Sequence, residues 1–308
     1  MSKMIWRFRE IARNAFKRYA HVNMYKRTPN IMGVQTLNVF RSRPQNFGVI
    51  TMLALFWPLS KEKKTEESDI SSADKKIIQE GLKEADQLYD NGQYNDCYDF
   101  LTKLYKQYSN NVEILWRKAR AIYQLASQPV IDDKYKTALA HNAFSTITKA
   151  MTIDENNFAV HKWMAVILDL KCSCESTKER VKHLEVVKKH MLRAIELNPN
   201  DATTLYMLGE WCYRIADMPW YQRKIASTLF ATPPTSSFDE AIEYFSRAEV
   251  VEPRFYSMNL LMLGKTYLKL GKEDIGKYYL NLALLYPARS NDDHQANKEA
   301  QDILKRFK

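Results

Sequence analysis

From about residue 80 onward, apolar and small side chains recur three and four positions apart, the spacing of one face of an α-helix. Leu205, Leu208, Gly209 and Cys212 form one such stripe. Ala241, Phe245 and Ala248 form the next, closed by Pro253. Gly209 and Ala241 are small enough to let two helices approach closely, while Leu205, Leu208 and Phe245 fill the seam between them. Pro253 ends the second helix because it has no N–H and clashes with the preceding turn. Leu260, Leu263, Gly264 and Tyr267, then Gly276, Leu280 and Ala283, repeat the pair. Upstream, Ala194 with Pro199 and Ala150 with Glu155 mark the ends of two earlier second helices. Ala119 and Ala165 supply the small residues of their first helices. Ala85, Leu88, Cys97, Leu101 and Leu104 outline a weaker first pair, with Gly92 at its turn.

These positions are those of the tetratricopeptide repeat, W-x2-L-G-x2-Y followed by A-x3-F and a proline. One such repeat cannot bury its apolar face alone, so several must stack. The expected fold is therefore all-α, a tetratricopeptide-like helical solenoid of about five repeats closed by a C-terminal helix over Asp292 to Phe307. The joints between repeats test the register. Leu104–Ala119, Ala150–Ala165, Ala194–Gly209 and Ala248–Gly264 are separated by 15, 15, 15 and 16 residues, close to uniform. The turns inside the repeats are not uniform. Leu88–Cys97 and Tyr267–Gly276 are 9 apart, but Ile122–Ala143, Leu168–Val187 and Cys212–Ala241 are 21, 19 and 29 apart. The middle three repeats therefore carry insertions on one edge, where they form either a binding face or longer helices that thicken the wall.

The longest insertion, MPWYQRKIASTLFATPPTSSFDEA, has its own pattern. Ile225, Leu229 and Phe230 at helical spacing predict a short helix that Pro233 and Pro234 end. Ser236 or Ser237 is placed to cap the next helix, with Glu240 completing a capping box from Ser237. Trp220 and Tyr221 read chiefly as structural anchors. Arg223 and Lys224 beside them offer an edge for an acidic partner. Along the groove of the solenoid, Lys162, Tyr206, Arg214, Lys265 and Lys269 are expected to face inward, and four of these five are basic, a match for an acidic protein segment.

Charge divides the chain. Residues 1–60 hold ten Lys or Arg and one acid, Glu10, which is +9 of the total +10. With Trp6, Phe8, Ile11, Phe16 and Tyr19 interleaved, this segment reads as a mitochondrial presequence, as a basic amphipathic helix on an anionic membrane or acidic protein, or as a disordered arm. The repeats themselves are nearly neutral, and no nucleic-acid partner is expected. Phe47 to Leu59 is uncharged over 13 residues, short of the ~20 that a spanning helix needs. Residues 61–73, KEKKTEESDISSA, read as a solvated linker before a repeat domain over 74–308, whose first helix starts near Ser72–Asp74.

The residues give no catalytic reading. There is no phosphate-cradling glycine loop, no H-E-x-x-H and no G-x-S-x-G. His161, His183 and the paired Asp132 and Asp133 read as wall or surface residues. Cys97 and Cys212 fall at repeat core positions. Cys172, Cys174 and His183 have metal-ligand chemistry but no evident fourth ligand, so no metal and no cofactor is expected. The four cysteines suggest no disulfide framework, which favours a reducing compartment.

The run WCYRIADMPWYQRKIASTLFATPPTSSFDEAIEYFSRAEVVEPRFYSMNLLMLGKTYLKL, with FAVHKWMAVILD and MLRAIELNPNDAT before it, resembles the regulator of microtubule dynamics proteins over residues ~80–305. The resemblance is specific, because generic tetratricopeptide proteins lack the MPWYQR…LFATPP insertion. It implies a non-enzymatic protein that associates with microtubules or tubulin, in cytoplasm and cytoskeleton. It further implies a place at the spindle and spindle pole, a role in chromosome segregation, and mitochondrial association. The competing reading is a mitochondrial or membrane-contact scaffold that handles lipid or another protein in its groove, delivered by residues 1–60.

Overall fold

In a computed structural model, residues 71–129, 131–229 and 233–307 are described. The basic segment 1–60, the apolar run Phe47–Leu59, nearly all of the linker, and Phe230 lie outside them, as do the side chains of Tyr221, Ile225 and Leu229. Among the described residues no helix is long and apolar enough to cross a membrane.

Thirteen α-helices follow one another among the described residues. They are α1 (Ser72–Asp90), α2 (Tyr94–Gln107), α3 (Val112–Ala126), α4 (Asp133–Ile153), α5 (Phe158–Glu175), α6 (Thr177–Lys182) and α7 (Leu184–Leu197). Then come α8 (Ala202–Ala216), α9 (Trp220–Leu229), α10 (Phe238–Val251), α11 (Ser257–Lys269), α12 (Glu273–Leu284) and α13 (Asn291–Leu304), with a 3-10 turn at Lys305–Phe307. The helices pair as α1–α2, α3–α4, α5–α7, α8–α10 and α11–α12, and α13 packs on α11 and α12. These are the five repeats and closing helix that the spacing predicts.

Short polar side chains set most of the starts. Ser71, Asn111, Asp132, Asn157, Ser176, Asp201, Ser237 and Ser290 each accept a bond from a backbone N–H two or three residues further on, in the first turn of the helix that follows. These bonds satisfy donors that have no intrahelical partner. The expected capping box at Ser237 is only half formed. Ser237 accepts from Glu240 N–H at 3.1 Å, but the Glu240 carboxylate is taken by Ser236 at 2.5 Å and Lys188 at 2.9 Å. A complete box closes instead at Ser290 and Asp293, the start of α13.

The seams follow the small residues. A Cβ placed on Gly209 would lie 2.6 Å from Cδ1 of Phe245, and one on Gly264 would lie 2.7 Å from Cγ of Leu280. No side chain fits at either position, so α8 and α10, and α11 and α12, come together at near-backbone distance. Cys97 and Cys212 lie in the core as read. Burial pushes their thiols up to about 11 and about 12, so both stay protonated at neutral pH. The apolar interior of the described residues forms two clusters. The larger runs from α3 to α13. The smaller joins α1 and α2 and includes only Ile114 and Ala121 of α3 among its buried members.

The three insertions take three forms. In the second repeat the extra length becomes a 21-residue helix, α4. In the third it becomes the six-residue helix α6, in the fourth the ten-residue α9.

The third repeat also holds a histidine pair. His161 on α5 and His190 on α7 place their Nδ1 atoms 2.9 Å apart. His161 Nε2 lies 2.8 Å from the carbonyl oxygen of Glu155. A carbonyl only accepts, so Nε2 carries the proton and His161 Nδ1 accepts from His190. Burial first, then the neighbouring His161, lowers the His190 pKa to about 4 from 6.5. The unfolded chain therefore binds more protons than the folded one between these values. The contribution of this group to stability is present above pH ~6.5 and is lost as pH falls towards 4. In His190→Asn the melting temperature is expected to fall less between pH 7 and pH 4.5 than in the parent. Parallel melting-temperature profiles would refute this.

Candidate functional site

The inner faces of the first helices are the natural ligand surface of such an array. Here the central ones are filled. Every residue of α5 from Ala159 to Leu170 and of α8 from Ala202 to Tyr213 is buried, so both helices are covered on all sides. Aromatic side chains take much of the space. Tyr123 packs edge-on to Trp163 with centroids 5.7 Å apart, and Tyr206 packs edge-on to Tyr256 at 5.1 Å.

The inward-facing cations expected from the sequence are matched by acids rather than open. Lys162 is buried and lies 2.9 Å from Asp201, the cap of α8. Tyr206 is buried between Phe245 and Tyr256. Arg214 is mostly buried and pairs with Glu210, four residues before it. Lys265 lies 2.6 Å from Glu299 on α13. The reading of Lys162, Tyr206, Arg214 and Lys265 as an open basic groove is therefore corrected, because a buried ammonium or guanidinium is tolerable only when paired. Lys269 also has a partner, Asp217 at 2.6 Å, but the lysine side chain remains 45% exposed and open to a ligand.

The sequence reading missed the acids that take these cations. Asp201 lies 39 residues from Lys162 and Glu299 lies 34 from Lys265. Asp169 receives a two-pronged bond from Arg180 of α6, at 2.7 and 2.9 Å. The inserted helix thus reaches across the end of α5. Asp201 carried a signal, standing where a helix cap is expected, but nothing in its neighbours names Lys162.

The α9 edge is the more open surface. Trp220 is 76% exposed, so it projects rather than anchors. Arg223 donates to the carbonyl oxygens of Met218 at 2.9 Å and Ala216 at 3.0 Å, closing the last turn of α8. Lys224 is exposed beside it. Behind them lies a cleft of about 510 Å³, walled by Ile215, Ala216, Met218, Ala226, Pro233 and Pro234 among others. Arg223 and Lys224 line it too, so an apolar recess meets a cationic rim. Among the described residues no group of three or more His, Cys, Asp or Glu is placed to hold a metal. Burial pushes the Cys172 thiol up to about 11, away from the thiolate that a metal needs.

Paired helices with small residues at each seam, stacked in five repeats, define a tetratricopeptide-type helical array. A solved structure of similar fold is a thermophilic TPR protein of Thermus thermophilus, with a TM-score of 0.50 at 16% identity, covering 72% of this chain and 98% of that one. The chain belongs to the family described as regulator of microtubule dynamics protein 1-3, whose model matches residues 81–308. Regulator of microtubule dynamics protein 1 of Bos taurus is 43% identical over 230 residues, covering 75% of this chain and 72% of that protein. Regulator of microtubule dynamics protein 3 of Xenopus laevis is 28% identical over 225 residues, covering 72% of this chain and 48% of that protein.

Proposed function

We propose that this chain is a non-enzymatic, microtubule-associated adaptor whose repeats carry the contact, acting at spindle microtubules in chromosome segregation. The observation that carries the reading is the family match, which spans the repeat array from residue 81 to residue 308. The exposed Arg223 and Lys224 of the insertion, with the half-exposed Lys269 that Asp217 holds at 2.6 Å, support a contact with the acidic surface of tubulin, where charge steers encounter and fixes register. The double variant Lys224→Glu/Lys269→Glu is expected to weaken microtubule co-sedimentation by about three- to tenfold at low salt, with the difference shrinking as salt rises. Equal binding by variant and parent would remove this edge from the contact.

A second reading, a mitochondrial or membrane-contact scaffold, rests on residues 1–60. Their +9 charge would suit tubulin and an anionic membrane alike, so charge does not separate the two. The interleaved apolar residues do. Changing Trp6, Phe8, Ile11 and Phe16 to Ser keeps every positive charge. Loss of mitochondrial association with retained spindle association, imaged in interphase and mitosis, assigns the two activities to different parts of the chain. Mitochondrial association that survives the change rules out the second reading.

A further inference from the structure

Several half-buried lysines in this array are matched with acids. Lys162, Lys171, Lys188 and Lys265 each lie 2.6–2.9 Å from a carboxylate. Lys118 on α3 and Lys149 on α4 break that pattern. Both are partly buried, and both turn to the phenol of Tyr105 on α2. Lys149 Nζ donates to Tyr105 Oη at 3.1 Å and stands 5.0 Å from the ring centroid. Lys118 Nζ lies 4.4 Å from the same centroid and 5.8 Å from that of Tyr98. Neither ammonium is in an ion pair with a described residue.

Two like charges on one ring repel, and partial burial strengthens the repulsion. Burial pulls the Lys118 pKa down, Tyr105 opposes the fall, and Lys149 adds to it. The aromatic faces offset part of the cost through cation–π attraction, but they bring no negative charge. Tyr105, whose oxygen accepts from Lys149, still has an O–H to donate. The cluster therefore presents two positive charges and a neutral donor, contributed by three helices of the first two repeats.

We propose that Lys118, Lys149 and Tyr105 form a binding site for a dianionic phosphate group. Phosphate fits better than a carboxylate because its two charges match two ammonium groups, and lysine binds phosphate as a compact point charge. The source is either free phosphate or a phosphate ester borne by a partner peptide, and the two differ in what surrounds the same group.

The test is a two-dimensional NMR titration of the full chain at constant ionic strength, with inorganic phosphate in one arm and a phosphoserine peptide in the other. Saturable shifts are expected at amides around residues 105, 118 and 149. Lys118→Met and Lys149→Met should each weaken binding at least about tenfold, and Tyr105→Phe by less. Tighter binding of the phosphopeptide assigns the group to a partner, and tighter binding of the free ion assigns it to solution phosphate. Absence of saturation, unchanged binding in both Met variants, or equal competition by a Glu-rich peptide would overturn the proposal. Stability gives an independent readout. If the lysines serve only to pack on Tyr105, Lys149→Met lowers the melting temperature of the ligand-free protein. If they await an anion, relief of repulsion leaves it equal or higher, and the rise that phosphate gives the parent disappears.

Discussion

Gly209→Ala is expected to lower the melting temperature, although the same change on an open helix would raise it. Alanine has about 1 kcal/mol more helix propensity than glycine. Against this stands the Phe245 ring, which a Cβ at Gly209 would meet at 2.6, 2.7 and 2.9 Å. Phe245 is fully buried and packs against Tyr206 at 5.7 Å, so it has nowhere to move. Overpacking of this kind costs about 1–3 kcal/mol and sometimes more. The net for alanine is destabilising by up to about 2 kcal/mol, and Gly209→Leu should exceed about 3 kcal/mol. At about 2–4 °C per kcal/mol for a domain of this size, the leucine variant should melt roughly 6–12 °C lower. Phe245→Leu in the Gly209→Ala background should recover part of the loss, a coupling that a double-mutant cycle reads directly. An alanine variant as stable as the parent would mean that α8 and α10 are not in this register.

The second large effect is expected at Lys162 and Asp201. Burial alone would raise the Asp201 pKa. The Lys162 ammonium and the donors of Thr204 override it and hold the carboxyl below its ordinary value. Asp201 also accepts from Thr204 N–H at 3.0 Å as the cap of α8. Lys162→Met removes the counter-charge and leaves a mostly buried carboxylate, 16% exposed, at the joint between the third and fourth repeats. Breaking one half of such a pair costs about 3–5 kcal/mol, chiefly because the other half is stranded. Urea titration should show this as a lower midpoint with an unchanged slope. Lys162→Met with Asp201→Asn keeps a capping oxygen and removes both charges, so it should be much less harmful than Lys162→Met alone. If the double variant is no better, burial of the Asp201 charge is not the source of the loss.

Seams and joints were legible in the sequence because they depend on residues close along the chain. Gly209, Ala241 and Phe245 fix one seam through size alone, and the 15-residue steps from Ala150 to Ala165 and from Ala194 to Gly209 fix the stacking. The cap at Ser237 was legible for the same reason. The form of the insertions was not. The long step from Ile122 to Ala143 is compatible with a loop or a longer helix, and it became α4. The state of the inner face was also hidden. Helical spacing turns Lys162 inward, but it does not show that Asp201, 39 residues on, comes round to meet it. Lys118 and Lys149 were missed because each alone looks like an ordinary surface lysine. Only the fold brings them to one phenol.

The division of the interior into two apolar clusters has a mechanical consequence. The smaller cluster reaches α3 through only two of its buried members, Ile114 and Ala121. Much of what else ties α1 to the next repeat is polar: Asp86 with Arg117 at 3.0 Å and Arg120 at 2.6 Å, and Tyr89 with Gln124 at 2.6 Å. Polar bonds of this length give way within an ångström or two of extension, while a broad apolar seam yields gradually as its area is exposed. Were the chain held at its N-terminal segment by one body and through its later repeats by another, the tension would pass through these polar bonds.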